Sequence, residues 1–403
     1  MEDNRSCLLA TARPYLQIFS VLALTPPPMF FESTSNLRLR RNLKIGYCCF
    51  ACGVLLLVTY ECYVNILSLQ QKLEHFHVED FSKVMGTTHK GLILVMAICN
   101  HLNMLFNYRR LGGIYKEIAK LEADIDVASE DFGGQRRCCS FRFRLAICVG
   151  LWMVLLVPLV PSFSYDRLSL FQSETNKIIT EIVLIMLQLK GPEYCVFVMF
   201  VYELILRVRH TLQQINQELE DCDCRDRLQE LCVALKRNQL FVGRIWRLVG
   251  ELGSYFTLSM MLLFIYNGFT ILHMVNWAII KTGHDCCPYK RVAVSVTLTL
   301  NLLLVCSYSE CCTNEYKGIP RILRKIRNLS IAEEFPTLKM GLREYLLQMQ
   351  HLKLLFTCSG FFDISLKYFA GMLVTILGYI IILVQFKVQA FVETQKKEDI
   401  LNN

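Results

Sequence analysis

The chain has few charged residues and no sequence signature of an enzyme. Only 19% of its 403 residues are charged and 53% are hydrophobic, whereas a soluble domain usually has about 25% charged residues. The zinc-protease pattern HExxH, a phosphate-binding glycine loop and a nucleophile elbow are all absent. No short apolar run with a small-residue cleavage site opens the chain, so we expect no cleaved signal peptide. The composition favours a membrane protein without catalytic chemistry.

Seven segments have the length and apolarity of membrane-spanning helices, which need about 20 mostly apolar residues. We therefore predict an all-α membrane protein with seven transmembrane helices. The segments are Ile45–Leu67, Val84–Phe106, Leu145–Phe163, Ile178–Leu206, Leu252–Ile280, Val292–Tyr308 and Ile364–Phe386.

The positive charges predict how these helices are oriented. Of the 43 Lys and Arg residues, 30 precede the first segment or lie in the loops after segments two, four and six. Because basic loops stay in the cytosol, the N-terminus is expected inside the cell and the C-terminus outside. This orientation is the reverse of that in a G-protein-coupled receptor. Cysteines in the inner loops are expected to stay reduced.

The inner loops are expected to be helical extensions of the spans. The loop after segment four has no proline, and its leucines and isoleucines recur at helical spacing. In the loop after segment six, Pro320 and Pro336 are expected to interrupt the chain, and residues 337–356 are typical of an amphipathic helix that Gly360 separates from segment seven. The chain is expected to divide into five parts: a cytosolic N-terminal region (1–44), the first six spans with their helical extensions (45–308), cytosolic helices (309–360), the last span (361–387) and an extracellular tail (388–403).

Charged side chains inside an apolar span are costly and often functional. Lys190 and Glu193 lie three residues apart in segment four, and both a structural ion pair and a polar patch in a ligand cavity explain them. Gly191 and Pro192 between them should disturb the helix. Candidate pocket residues are aromatic or polar groups in the middle or outer parts of spans, with interhelix packing or an interfacial aromatic belt as the alternative for each. They are Trp152, Lys190, Glu193, Tyr194, Tyr266, Asn267, His273 and Trp277.

The outer loop before segment six contains His284 and the adjacent pair Cys286 and Cys287. These are soft metal-ligand types, but their spacing is not that of a zinc site. No metal or other cofactor is expected.

The last segment combines apolar length with a glutamine at position 385. At 100° per residue, one helix face carries Thr375, Gly378, Ile382, Gln385, Phe386, Gln389 and Glu393. Several copies of this helix around a symmetry axis could enclose a conduit that bulky side chains close by dewetting. A glutamine that only bonds a neighbouring helix is the alternative.

The segment GYIIILVQF at 378–386 resembles the hallmark of the insect gustatory receptor family. That hallmark is Thr-Tyr, five hydrophobic residues and Gln-Phe, and here Tyr379, Gln385 and Phe386 match while Gly378 replaces the threonine. The sequence SGFFDISLKYFAGM upstream is similar to the segment that leads into the same helix. The hallmark covers only the last tenth of the chain, and the seven-helix pattern covers the rest.

The resemblance implies a tetrameric ligand-gated cation channel in the plasma membrane of sensory neurons. Ile382, Gln385 and Phe386 match the positions that line and close the pore of that family, and the inner helices would form its anchor domain. A small-molecule tastant would enter a pocket open to the outside. Ile380 stands where the sugar-sensing branch has an acidic residue, which argues against a sugar. The large remainder of the family is associated with bitter or aversive compounds, which the resemblance therefore implies here. An accessory subunit of a heteromeric receptor, a metabotropic receptor and a transporter are the alternatives.

Overall fold

The computed structural model is almost entirely helical. It describes residues 6–31, 37–75, 80–132, 138–157, 182–222, 224–280 and 288–401. Its helices are α1 (Cys7–Val21), a short 3-10 turn (Pro28–Phe30), α2 (Leu37–His75), α3 (Asp80–Glu130), α4 (Cys138–Leu156), α5 (Lys190–Glu220), α6 (Arg225–Ile280), α7 (Pro288–Arg327), α8 (Ser330–Glu334), α9 (Pro336–His351) and α10 (Leu366–Leu401).

Six helices in the described part of the chain are long and apolar enough to cross a membrane. They confirm the first, second, fourth, fifth, sixth and seventh expected spans. The described part of the third span forms α4, and its residues 158–163 lie outside the described ranges. The six are Arg41–Gln70, Lys83–Glu130, Ile182–Glu220, Arg225–Asn276, Val292–Arg327 and Leu366–Phe386.

The long inner helices are confirmed, with two corrections. Helix α6 has 56 residues, which makes it about 84 Å long at 1.5 Å per residue, far more than the roughly 30 Å of a bilayer core. Pro320 was expected to interrupt the chain but lies inside α7, which continues to Arg327 because one missing N–H does not end a well-packed helix. The amphipathic helix expected over 337–356 ends at His351 as α9.

The apolar stripes of the inner helices pack within the one chain. Leu212 and Ile215 of α5 are fully buried, and Leu231 of α6 is 1% exposed. Ion pairs tie the same helices to α3, with Arg207 Nη1 at 2.7 Å from Asp126 Oδ1. The stripes therefore do not require a second subunit to cover them.

The N-terminal segment folds into the bundle. Leu8, Ala12 and Leu16 of α1 are fully buried. The Ser6 hydroxyl caps the helix by accepting a hydrogen bond from the Leu9 amide at 3.3 Å. The Leu8 amide donates to both carboxylate oxygens of Glu122 on α3 at 3.2 Å. Helix α1 is thereby anchored at the cytosolic extension of α3.

Candidate functional site in the outer bundle

The ion pair predicted in segment four is fully buried. Lys190 Nζ lies 2.7 Å from Glu193 Oε2, and both side chains are completely inaccessible. Lys190 also donates to the Leu24 carbonyl oxygen at 3.0 Å, and the Thr25 hydroxyl donates to Glu193 Oε1 at 3.0 Å. Each charge is thus balanced and hydrogen-bonded, and the pair connects α5 to the N-terminal segment. Of the two sequence interpretations, these contacts match the structural ion pair.

Pro192 leaves the carbonyl group of Gln188 without its usual helical partner, because proline has no N–H. The expected disturbance is confined to Leu189, a turn residue between the helical residues 182–188 and α5. Asn301 of α7 approaches instead, donating from Nδ2 to the Gln188 carbonyl oxygen at 3.4 Å and to Gln188 Oε1 at 2.6 Å. Asn267 of α6 accepts from Gln188 Nε2 at 2.8 Å. Three buried amides therefore join the helical residues 182–188 to α6 and α7.

Gly191 makes this close approach possible. A Cβ atom at Gly191 would lie 2.5 Å from Asn301 Oδ1 and 3.3 Å from Val305 Cγ2. Real Cβ atoms essentially never approach another atom closer than about 3 Å, so any other residue here would force the Asn301 side chain to move. Gly191 therefore permits the close approach of α5 and α7 at this point.

A ring stack lies between α3 and α6. The imidazole rings of His89 and His273 are 4.7 Å apart with an interplanar angle of 16°. The His89 ring also stacks on Tyr266 at 5.4 Å. Its Nε2 atom lies 3.1 Å from the hydroxyl oxygen of Thr270. Tyr266 and His273, both predicted, are thus brought together by a histidine that sequence reasoning missed.

A small cavity lies between α2, α3 and the residues before α5. Its lining residues are Glu61, Cys62, Asn65, Lys90, Ile93 and Val183. Glu61 is 3% exposed, and its Oε2 atom has no hydrogen-bond partner in the described part of the chain. Asn65 Nδ2 donates to the Glu61 carbonyl oxygen at 2.8 Å. A buried carboxylate oxygen thus remains available at a cavity in the outer half of the bundle.

The other predicted pocket residues do not join these groups. The Tyr194 hydroxyl lies 3.0 Å from the Ser309 hydroxyl, and its ring packs edge-on against Phe256 and Phe356. Trp152 is buried on α4. Trp277 lies on α6, and its side chain is outside the described residues, as is the His284–Cys287 loop.

Most side chains described on the last helix are exposed. Ile376 is 6% exposed and is the last buried residue described on α10. Beyond it Ile382 is 45% and Phe386 67% exposed, and Gln385 and Gln389 are exposed as well. Glu393 lies on α10, but its side chain is outside the described residues. The predicted pore face is therefore uncovered in the single chain.

The sequence carries a family signature over nearly its whole length. Residues 12–390 match the family model described as 7tm Chemosensory receptor. The chain belongs to the seven-transmembrane chemosensory receptor family. Two Drosophila melanogaster proteins, named gustatory receptors 98c and 98b, are 56% and 57% identical to it. The first alignment covers 97% of this chain and 96% of the relative, and the second covers 99% of each. The expected absence of an enzyme activity agrees with this family.

Solved structures share the fold. The insect olfactory receptor OR5 from Machilis hrabei, in complex with eugenol, is 13% identical with a TM-score of 0.61, covering 93% of this chain and 98% of that one. The same receptor in another structure has a TM-score of 0.56 at 14% identity, with the same coverage. At this identity the likeness concerns the fold, and it confirms a helical membrane receptor architecture.

Sequence reasoning missed the most informative polar residues of the outer bundle. Glu61 and Lys90 are charged residues inside expected spans one and two, and His89, Gln188 and Asn301 are polar residues inside apolar segments. The rule that an intramembrane ionisable residue marks a functional site would have found Glu61 and Lys90. The partnership of Gln188 with Asn301 requires the helix packing and is not visible in the sequence.

Proposed function

We propose that the chain is a gustatory receptor subunit that forms a ligand-gated, non-selective cation channel in the plasma membrane of sensory neurons. The names of the two Drosophila relatives support the sensory role. The olfactory receptor of the same fold, in complex with eugenol, supports a small-molecule ligand. Four copies around an axis, or copies mixed with related receptors, complete the channel.

The single observation that carries the channel proposal is the exposed Gln385 on α10. It lies in the most apolar span of the described chain, beside the exposed Phe386. An amide facing hydrocarbon without a hydrogen-bond partner costs several kcal/mol, about 4–8 by transfer to an apolar solvent. Water in a central pore removes this cost, and rings of Ile382 and Phe386 then close the pore by dewetting. Gln389 and Glu393 continue the same face and favour cations.

Ligand binding is assigned to the outer bundle, at the ring stack and at the small cavity lined by Glu61. A tastant that binds the open state more tightly than the closed state shifts the channel toward opening by that difference in affinity. Bitter or aversive compounds are the proposed class, because Ile380 replaces the acidic residue of the sugar-sensing branch. The cytosolic helices around α9 serve as the anchor for the four subunits.

Patch-clamp recording from cells that express the chain alone tests the channel. We expect Phe386→Ala to raise basal current, since it removes part of the hydrophobic barrier, and Gln385→Ala to change ion selectivity or conductance. Val384→Ala is the matched control, because Val384 is also exposed but lies on the opposite helix face. Unchanged currents in both variants at matched surface expression, in cells where the wild type conducts, would contradict a pore at this face. A silent wild type that conducts with a co-expressed relative would indicate an accessory subunit.

A further inference from the structure

The carboxylate of Glu61 is the unusual feature of the outer bundle. It lies on α2 six residues before Leu67, the outer end of the expected first span, and is therefore about 9 Å from that end along the helix. A carboxylate at this depth is costly unless its charge is paired or it has a function. Glu61 is nevertheless 3% exposed, and its Oε2 atom has no partner in the described structure.

Other buried carboxylates in the described part of the chain are satisfied. Glu193 accepts from Lys190 at 2.7 Å and from Thr25 at 3.0 Å. Glu203 is also 3% exposed, and Arg144 donates to its Oε2 atom at 2.6 Å. Structural carboxylates in this fold are therefore built with donors around them. The Oε2 atom of Glu61 lacks such a donor, which indicates that a group outside the protein supplies this hydrogen bond.

The cavity beside Glu61 defines what that donor can be. Its apolar lining is Cys62, Ile93 and Val183, and its polar lining is Glu61, Asn65 and Lys90. The free space of about 10 Å³ matches one water-sized group. A hydroxyl group or a protonated amine has this size and donates the hydrogen bond that a carboxylate oxygen requires.

We propose that Glu61 is the hydrogen-bond acceptor for the polar end of the ligand, so that the receptor takes small, mostly apolar molecules bearing a hydroxyl or a protonated amine. This assignment rests on the proposed ligand binding in the outer bundle but not on channel activity. The cavity receives the donor group, and its apolar lining of Cys62, Ile93 and Val183 contacts the carbon atom that carries this group.

Thermal stabilisation of the purified receptor in lipid nanodiscs tests the proposal independently of current. The probes are benzyl alcohol, benzylamine and benzyl methyl ether, which share a ring but differ in their ability to donate. We expect the alcohol or the amine, and not the ether, to raise the melting temperature of the wild type. In Glu61→Gln, the concentration of alcohol or amine that gives the same rise in melting temperature should be higher by roughly tenfold or more. The control Glu203→Gln changes an equally buried carboxylate away from the cavity and should leave the concentration dependence unchanged.

A measurement without ligand separates binding from a structural role. Removing an unpaired buried carboxylate should stabilise the empty receptor, so Glu61→Met should melt at a higher temperature than the wild type, whereas Glu203→Met should melt lower. Equal stabilisation by the ether, no stabilisation by either donor, or a lower melting temperature for Glu61→Met would each overturn the proposal. Donor-dependent stabilisation without ligand-evoked current, both alone and with a co-expressed relative, would keep the site and contradict the channel.

Discussion

The buried contact between the N-terminal segment and α5 allows a graded prediction of stability. Lys190 and Glu193 are inaccessible to water, and each makes one hydrogen bond to the N-terminal segment in addition to their mutual 2.7 Å contact. Removing one member of a buried ion pair costs about 3–5 kcal/mol, because the other charge remains in a low-dielectric interior. We therefore expect Glu193→Gln or Lys190→Met to destabilise the receptor by about this amount.

Smaller perturbations of the same network should cost less. Thr25→Val removes a single hydrogen bond to a charged group, which is worth about 1.5–3 kcal/mol. The double variant Lys190→Met with Glu193→Gln removes both charges together and should recover much of the loss of the single variants, since replacing a whole buried pair is often nearly neutral. The predicted order of stability is wild type, double variant, then either single charge variant.

Fluorescence-detected thermal unfolding of the purified receptor measures this order. Arg110→Met is a suitable control, because its ion pair with Glu251 is about half exposed and should contribute at most about 1 kcal/mol. Single charge variants as stable as the control would refute the assignment of a balanced buried pair. A double variant that loses the sum of the two single effects would refute the coupling between the charges.

Three further predictions concern helix packing and the pore. Gly191→Ala should lower the melting temperature, because the new Cβ atom would meet Asn301. Gly250→Ala is the control: its Cβ atom would have no neighbour within 4 Å, so it should gain up to about 1 kcal/mol of helix stability. Thermal unfolding of the two variants compares them. Glu393→Gln should shift the reversal potential toward lower cation preference, and an unchanged potential would remove the acidic ring from the pore. Gly378→Thr, which restores the family residue at an open position, should leave surface expression and current intact, and a loss of either would show that glycine is required there.

The spans and the long cytosolic helices could be predicted from the sequence because they depend on local properties. Apolar length identifies a span, and helical spacing of residues such as Leu212 identifies a packed extension. Pro320 misled the prediction because the cost of one missing hydrogen bond is offset by tertiary packing on α7. Such packing is not encoded in a local pattern.

The candidate site could be predicted only in part, because it depends on which helices meet. Tyr266 and His273 were predicted from their position in a span, but the histidine that stacks on both comes from a distant segment. Lys190 and Glu193 were recognised as unusual, yet their partners Leu24 and Thr25 lie in an N-terminal segment with no strong sequence signal. Tertiary contacts of this kind cannot be inferred from spacing along the chain.

The pore assignment of α10 is the central claim, and cysteine modification tests it most directly. Gln385→Cys and the control Val384→Cys would each be introduced into Phe386→Ala, the variant expected to conduct without ligand. A membrane-impermeant cationic thiol reagent is then applied from outside during whole-cell recording, with Phe386→Ala alone as the control for the native cysteines. A rapid fall in current that is specific to Gln385→Cys is the predicted result. Equal sensitivity of all three variants, or no effect in a conducting Gln385→Cys channel, would show that this helix face does not line the pore.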